Sequence, residues 1–411
     1  MIVLSACRPT LVGVSSSTSG SGGAPRRPRG AHRKGPGRGS RWAVRAARAV
    51  AAVLSVSILL GSGYAWASYR SFSSGVTQLA SAIPAPDPAT PSPVDTSEQN
   101  ILLVGDDHRP ADASPELLAL LSTQQDGGSV NTDTMMVLHL PAGGGAPTVV
   151  SFPRDSWVEI PGHGMGKLNS AFELGSADGA GDAGGMRLLI ETVQGMTGLT
   201  IEHFVRISLV GFYDIANALG PIQVCLNQAA VDPYSGTDLP AGVSTLDAKQ
   251  ALSFVRQRHG LPRGDLDRQV RQQYFLAAEL EKLTSAGVLL NPLRQQQLLG
   301  AVSSALQTDP GLDLLGLAGR FQGLTADQVR YATIPVTGTP TIRDAAGRDV
   351  SIVAVDTAAM PGFIASVVAG TPAPAPAAPT TAAPGTPTPA PAPAPATDEP
   401  GQSFGAGSCI N

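Results

Sequence analysis

The stretch FVRQRHGLPRGDLDRQVRQQ, Phe254 to Gln273, gathers Arg256, Arg258, Arg263, Arg268 and Arg271 into one short reach of chain. If the backbone is extended as it leaves the helix before it, Arg256 and Arg258 point to the same side about 7 Å apart. Arg268, Arg271 and Gln272 are spaced i, i+3 and i+4, which puts them on one side of a helix. The loop HGLPRGD can fold that side back over the first pair. Such a cluster is unfavourable alone: two cations about 6 Å apart repel by roughly 3 kcal/mol at an effective dielectric near 20. An anion relieves the repulsion, and the planar guanidinium fork suits phosphate through paired hydrogen bonds. The plainer alternative is that each arginine pairs with a local acid, Asp265 or Asp267, or lies along the surface.

Acidic residues at the ends of early strands point the same way. LLVGDDHR places Asp106 and Asp107 just past a strand, NTDT places Asp133 at the start of another, and FPRD places Arg154 and Asp155 at the end of a third. Carboxylates arriving from neighbouring strand ends can hold magnesium, which keeps several waters and prefers one or two carboxylates plus substrate phosphate. Taken singly, each aspartate reads as a cap or turn residue. Together with the arginines they suggest a metal and a pyrophosphate. The histidines lack metal-ligand spacing, since His139 lies inside an apolar strand and His163 in the PGHGMG loop. That argues against zinc hydrolysis.

The elements that must position these groups read from periodicity. NILLVG, TMMVLHL and TVVSFP are short apolar runs bounded by turn signals, and so are predicted as buried strands. GGMRLLIETVQGMTG carries Leu188, Leu189, Val193 and Met196 on one helical side with Gly198 as a stop. HFVRISLVGF is predicted as a strand, FYDIANALG as a short helix and IQVCL as a strand. TLDAKQALSFV and DLDRQVRQQYFLAAELEKLTS follow as helices, the second capped by an aspartate at its start. Alternating strands and helices argue for an α/β fold, an αβα sandwich in which helices cover a central sheet.

Charge is unevenly placed. Of 28 Lys plus Arg, 11 lie at or before Arg70, and the remaining 17 face all 32 acids, a balance of -15. A domain so acidic, without aromatics interleaved in its basic stretch, is a poor nucleic-acid binder. The basic cluster Arg26 to Arg48 precedes an uncharged run, Ala49 to Tyr69, of a length that spans a bilayer. The positive flank stays in the cytoplasm, which puts everything after Arg70 outside. A cleaved signal peptide ending at AWA, Ala65 to Ala67, is the alternative. Composition therefore divides the chain into a disordered basic cytoplasmic segment (1–48), a transmembrane helix (49–69), an extracellular Pro-rich linker (70–98), a folded domain (99–370) and a disordered Pro/Ala/Thr-rich tail (371–411). Cys225 and Cys409 are the external pair, and an oxidising compartment permits a disulfide between them; two unpaired thiols are the alternative.

The ordered motifs NILLVGDDHR, NTDTMMVLHL, VVSFPRDSWVEIPGHGMGKLNSAFELG and ALSFVRQRHGLPRGDLDRQVRQQYFL resemble the LytR-CpsA-Psr phosphotransferases of bacterial cell envelopes, actinobacterial type. The resemblance runs from Asn100 to about Ile364 and includes the anchor topology. It implies that family's fold, with a central mixed β-sheet covered by helices, and makes 99–370 a catalytic domain. The implied activity is transfer of a glycopolymer, such as a teichoic acid, capsular polysaccharide or arabinogalactan, from a polyprenyl-pyrophosphate carrier to peptidoglycan, through a phosphodiester link. The implied partners are therefore the lipid-linked polymer, peptidoglycan and membrane lipid. Carried over position by position, Asp107 and Asp133 match the aspartates that bind magnesium, or manganese in its place. Arg154, Arg256, Arg258 and Arg268 match the arginines on the pyrophosphate, with Gln272 beside them. Asp155, in the shared PRD, is implied to orient arginine or metal, and with Asp107 is a candidate general base. Asp265 precedes the last of those arginines, and Arg109, Lys167, Asn169 and Arg271 also sit in matching motifs as substrate contacts. Two positions depart from the pattern: Asn131 stands where the family often has arginine, and His108 where a small polar residue is common.

The carrier's lipid needs an apolar slot. Tyr274, Phe275, Leu276 and Leu280 can line one, or can be plain core. Three other classes compete with a transferase: a non-catalytic anchored receptor for lipid-linked saccharides, a polyprenyl-pyrophosphate hydrolase, and a structural or regulatory membrane protein.

Overall fold

The computed structural model describes residues 38–83, 98–107, 113–123, 132–177, 179–289, 291–321, 323–344, 346–371, 402–405 and 407–411. The expected basic segment up to residue 37, the Pro-rich residues 84–97 and the tail residues 372–401 lie outside them. Two compact units divide the chain, Met1–Tyr64 and Ala65–Asn411. Helix α1 (Arg38–Gly75) contains a stretch, Arg45–Gly75, long and apolar enough to cross a membrane. Val53, Leu54, Ile58, Leu59 and Leu60 are all exposed on it, as suits a helix whose solvent is lipid.

The central sheet has seven strands. In chain order the strands that matter are β1 (Thr77–Gln78), β2 (Gln99–Asp106), β3 (Thr132–Leu140), β4 (Thr148–Phe152), β5 (Trp157–Ile160), β6 (Gly164–Lys167), β7 (His203–Ile207), β8 (Ile222–Leu226), β9 (Ala230–Asp232), β10 (Thr237–Leu239), β11 (Gly242–Leu246), β12 (Leu306–Thr308) and β13 (Arg330–Thr333). The sheet runs β1-β12-β7-β2-β3-β4-β13. β2 pairs antiparallel with β3 but parallel with β7, so the sheet is mixed. β5 with β6 and β9 with β10 form separate hairpins, and β8 pairs antiparallel with β11 around the second of them. Helices α2 (Pro115–Leu120), α3 (Ser170–Ser176), α4 (Gly181–Thr197), α5 (Leu209–Leu219), α6 (Ala248–Arg256) and α7 (Asp265–Leu283) complete the elements around the site.

Side chains alternate across the sheet because successive strand residues point to opposite faces. Leu102, Val104, Met135 and Val137 pack on one face against α3, α4 and the helix Met360–Val368. Ile101, Met136, Leu138 and Val149 pack on the other against α6 and α7. Two helical layers thus enclose the sheet, the sandwich that the strand and helix pattern implies. Full burial of each such side chain stabilises by about 1.5–3 kcal/mol. His139 is a core residue, with Nδ1 2.8 Å from Asn100 Oδ1.

Three expectations need correction. The linker does not begin at residue 70: α1 continues to Gly75, Phe72 and Ala82 are buried, and β1 pairs with β12. Leu79 and Ile83, inside what composition alone marks as the Pro-rich linker, pack against the core. The run HFVRISLVGF is not one strand, since Ser208 accepts from Gly211 N at 3.2 Å and starts α5. A serine oxygen that satisfies an orphan helix N–H outweighs the strand propensity of the flanking residues. At α7 the N-cap is Gly264, not an aspartate; Asp267 instead accepts from Arg263 N at 2.8 Å.

The tail also differs. Residues 402–411 return to the domain, where Cys409 is joined to Cys225. Gln402 bridges to Tyr331, Ile410 to Leu226, and Phe404 packs edge-on to Tyr274 with ring centroids 5.5 Å apart. Phe404 and Ile410, apolar side chains after the Pro-rich run, are buried against the domain.

A half-buried pair at the start of β7 sets a pH dependence. His203 Nδ1 lies 2.9 Å from Asp309 Oδ2, and Asp309 also accepts from Phe204 N and Gly311 N. The hydrogen bond to Asp309 outweighs burial and holds the imidazole pKa above its ordinary value. A group raised in the folded state contributes stability that is full below about pH 6.5 and is lost as pH rises through the folded value. The melting-temperature gap between wild type and His203→Gln should therefore be widest near pH 5.5 and close towards pH 8. A gap that widens with pH contradicts this.

Candidate active site

A bulge aims the central carboxylate. In the β2–β3 ladder Gly105 faces Thr134 and Asp106 faces Thr132, so Asp133 is the extra residue between two partners. Bulges turn a side chain out of the regular pleat and recur beside functional sites. Asp133 is thereby turned to meet two arginines from other elements. Arg154, in the turn after β4, donates to Asp133 Oδ1. Arg268, in the first turns of α7, donates to the Asp133 carbonyl at 3.2 Å and reaches within 3.9 Å of its Oδ2. Burial alone would raise the pKa of Asp133, but Arg268, Arg154 and Arg258 hold it below the ordinary carboxylate value.

The remaining arginines close around this centre. Arg268 Nη2 is 2.6 Å from Asp265 Oδ1, and Arg258 Nη2 approaches the same oxygen at 3.2 Å. Arg256, the last residue of α6, donates to the Leu121 and Ser122 carbonyls at 3.0 and 3.2 Å and lies 3.8 Å from Asp107. Arg256 and Arg258 are therefore not a pair on one extended strand: one ends a helix, the other begins the loop after it. Asp155 completes a chain of charges, 3.7 Å from Arg154 and 3.0 Å from Lys167 on β6. Burial lowers the pKa of Arg154, yet Asp133 and Asp155 more than restore it. Arg268 is only 3% exposed, and burial draws its pKa down to about 10, still cationic at neutral pH.

Asp106, Asp107, Asp133, Arg256, Arg268 and Gln272 line one cleft. Apolar side chains of Ile207, Leu209, Phe212, Leu252 and Val255 line it too. Of the apolar residues expected to line a lipid slot, Tyr274 and Phe275 are core instead. Tyr274 donates to the Ser408 carbonyl, and Phe275 packs against Phe212 and Phe254.

Not every expected site residue is here. Arg271 is buried away from the cleft, donating to Gln257 and to the Asn411 carbonyl, with its guanidinium 5.0 Å from the Phe254 ring. At 3.6 residues per turn, positions three and four past Arg268 fall on opposite flanks of it, so only Gln272 follows it into the cleft. Asn169 contributes through its main chain, with N donating to the Arg154 carbonyl at 3.0 Å. Arg263 pairs locally with Asp267 at 2.6 Å, as the plainer alternative has it. Arg109, His108 and Asn131 lie outside the described residues.

Sequence spacing does not point to another buried arginine. Arg206 on β7 donates to Asp106 at 2.5 Å, Asp182 at 2.6 Å and Gln307 at 2.9 Å, and its guanidinium stands 4.5 Å over the Phe172 ring. It fixes Asp106, and with it the turn that presents Asp107. An arginine inside the otherwise apolar run HFVRI is the signal that could have found it.

The donor set can be tested for a divalent cation. Asp107 and Asp133 both line the cleft and carry hard oxygens, while no group of three or more His, Cys, Asp or Glu that could cage a metal occurs among the described residues. Two carboxylates fit magnesium, which takes its other ligands from water and phosphate.

The sequence model of the LytR_cpsA_psr family matches residues 71–359. The cell wall biosynthesis protein LcpA of Corynebacterium glutamicum is 39% identical over 261 residues, covering 58% of this chain and 50% of that protein. A polyisoprenyl-teichoic acid–peptidoglycan teichoic acid transferase, TagU of Oceanobacillus iheyensis, is 33% identical over 199 residues, covering 48% of this chain and 60% of its own. The chain thus spans about half the length of the curated relatives it matches. Among solved structures, a LytR-Csp2A-Psr enzyme from Actinomyces oris superposes with a TM-score of 0.51 at 20% identity, covering 71% of this chain and 95% of that one. That likeness shows the shared fold.

Proposed function

The chain belongs to the LytR-CpsA-Psr family, and from that premise we propose that it transfers a glycopolymer from a polyprenyl-pyrophosphate carrier to peptidoglycan, forming a phosphodiester link. The observation that carries the proposal is the convergence of Arg154, Arg256, Arg258 and Arg268, from separate segments, on Asp107, Asp133 and Asp265 beside one cleft. The names of the relatives, a cell wall biosynthesis protein and a teichoic acid transferase, support that class.

Charged and apolar side chains both line the cleft, which suits a diphosphate joined to a prenyl chain. As the phosphodiester forms, charge builds on the phosphoryl oxygens and on the departing polyprenyl phosphate. Fixed guanidinium groups stabilise that charge without reorganising at the moment of reaction. Here the acids do the fixing: Asp265 holds Arg258 and Arg268, and Asp133 and Asp155 hold Arg154. A magnesium or manganese ion on Asp107 and Asp133 would add positive charge against the phosphoryl oxygens. The acceptor is a sugar hydroxyl of peptidoglycan, and we assign Asp107 or Asp155 as the group that takes its proton. With α1 as a single-pass anchor and the basic residues before it cytoplasmic, the domain works on the outer side of the membrane.

The test gives the full chain, in detergent micelles, a synthetic polyprenyl-diphosphate saccharide with and without magnesium and a peptidoglycan acceptor. Release of polyprenyl phosphate together with sugar joined to the acceptor supports transfer. Release without joining marks a hydrolase, and binding without release marks a receptor.

A further inference from the structure

The hairpin β9–β10 is not needed for the arginine cluster's charge, yet it is bolted to it. Asp232, at its near end, is 1% exposed. Its carboxylate accepts from the main-chain N–H of Tyr234 at 3.0 Å, of Arg258 at 3.2 Å and of His259 at 3.3 Å. The turn is braced from within: Ser235 and Thr237 hydroxyls lie 2.9 Å apart, and Thr237 donates to the Ser253 carbonyl on α6. Gly236 sits at φ +80° against Ser122, whose carbonyl accepts from Arg256. The turn is thus tied to the segments of two site arginines.

What this rigid mount presents is an uncovered aromatic surface. The Tyr234 ring is 77% exposed and lies 4.3 Å from the His259 ring, itself 61% exposed, at an interplanar angle of 35°. Asp232 fixes the main chain of Tyr234, and the ring stacks on His259 with its other face open to solvent. His259 directly follows Arg258, and through Asp232 the main chain of Tyr234 is tied to both, so the ring pair belongs to the segment that carries a site arginine. In a lipid-linked saccharide the group one bond beyond the diphosphate is a sugar ring. The C–H faces of sugars carry partial positive charge and stack on the electron-rich faces of aromatic rings.

We propose that Tyr234, supported by His259, is a sugar-stacking subsite for the first saccharide units of the diphosphate-linked donor. This deepens the transferase reading and rests on it. Asp232 and the turn hold the ring at a fixed distance from Arg258, so the platform selects donors whose pyranose face meets it when the diphosphate is seated.

The experiment compares two ligands on the full-length protein: a polyprenyl diphosphate carrying a disaccharide, and the same polyprenyl diphosphate without sugar. Tyr234→Ala should weaken binding of the disaccharide ligand by roughly five- to tenfold and leave the bare diphosphate within about twofold. Tyr234→Trp, which keeps a stacking face, should retain the wild-type preference. Equal loss on both ligands would show that the ring only supports the fold, and no loss on either would show that sugars do not stack there; both outcomes overturn the subsite while leaving the diphosphate site standing. If the wild type binds neither ligand, the transferase reading fails first.

Discussion

Replacing Arg268 with alanine is expected to reduce transfer by roughly a thousandfold, the scale on which a single arginine acts in phosphoryl transfer. Arg268 is the one guanidinium that touches both Asp265 and Asp133, and so links α7 to the bulge in β3. Its loss also removes a partner from two carboxylates in a buried network. Breaking a buried pair costs about 3–5 kcal/mol; here Arg258 remains on Asp265 and Arg154 on Asp133, so the lower end applies. Arg268→Lys separates the two effects. An ammonium keeps the charge but not the planar fork that serves two acceptors at once. A urea melt should show the lysine variant nearly as stable as wild type, while steady-state transfer stays down by about a hundredfold. Full activity in the lysine variant would mean that charge alone matters.

Asp133→Asn should separate capture from turnover. The carboxylate lies among three arginines that hold its pKa down, so it is ionised at neutral pH. Removing its charge leaves the cluster more cationic. A unit charge about 4 Å away is worth about 4 kcal/mol at an effective dielectric of 20, before solvent screening reduces it at this part-exposed site. Diphosphate affinity measured without added metal should therefore stay level or rise. Turnover should fall by roughly a hundredfold or more, because a proposed ligand of the divalent ion is gone and Arg154 loses the acceptor that fixes it. The pair of measurements distinguishes an enzyme from a receptor: in a receptor only the affinity exists to change. A variant that loses affinity and turnover together would instead place Asp133 in the fold rather than the chemistry.

Strand cores were legible because burial follows a period of two along each run, and Leu102, Met135 and Val137 sit where that period puts them. Most of the site was legible for a different reason: aspartates and arginines clustered at strand and helix ends have few structural uses together. What periodicity cannot carry is register between strands, and the bulge that turns Asp133 is a property of two strands, not of NTDT. Arg271 was misplaced because spacing on a helix gives a side, whereas a cleft is narrower than a side. Arg206 was overlooked because its partners Asp106, Asp182 and Gln307 come from three distant segments. The end of the tail was taken for more of its Pro-rich neighbour, although Phe404 and Ile410 are the kind of side chain that finds a core.

The bond between Cys225 and Cys409 joins residues 184 apart in sequence, and it makes the intervening chain a covalent ring. A protease that nicks this ring once, anywhere between 372 and 401, produces no lighter species on a nonreducing gel. The severed end, with Phe404 still seated near Tyr274 and Tyr331, departs only after a reductant has also acted. Shedding of that end is thus a two-key event.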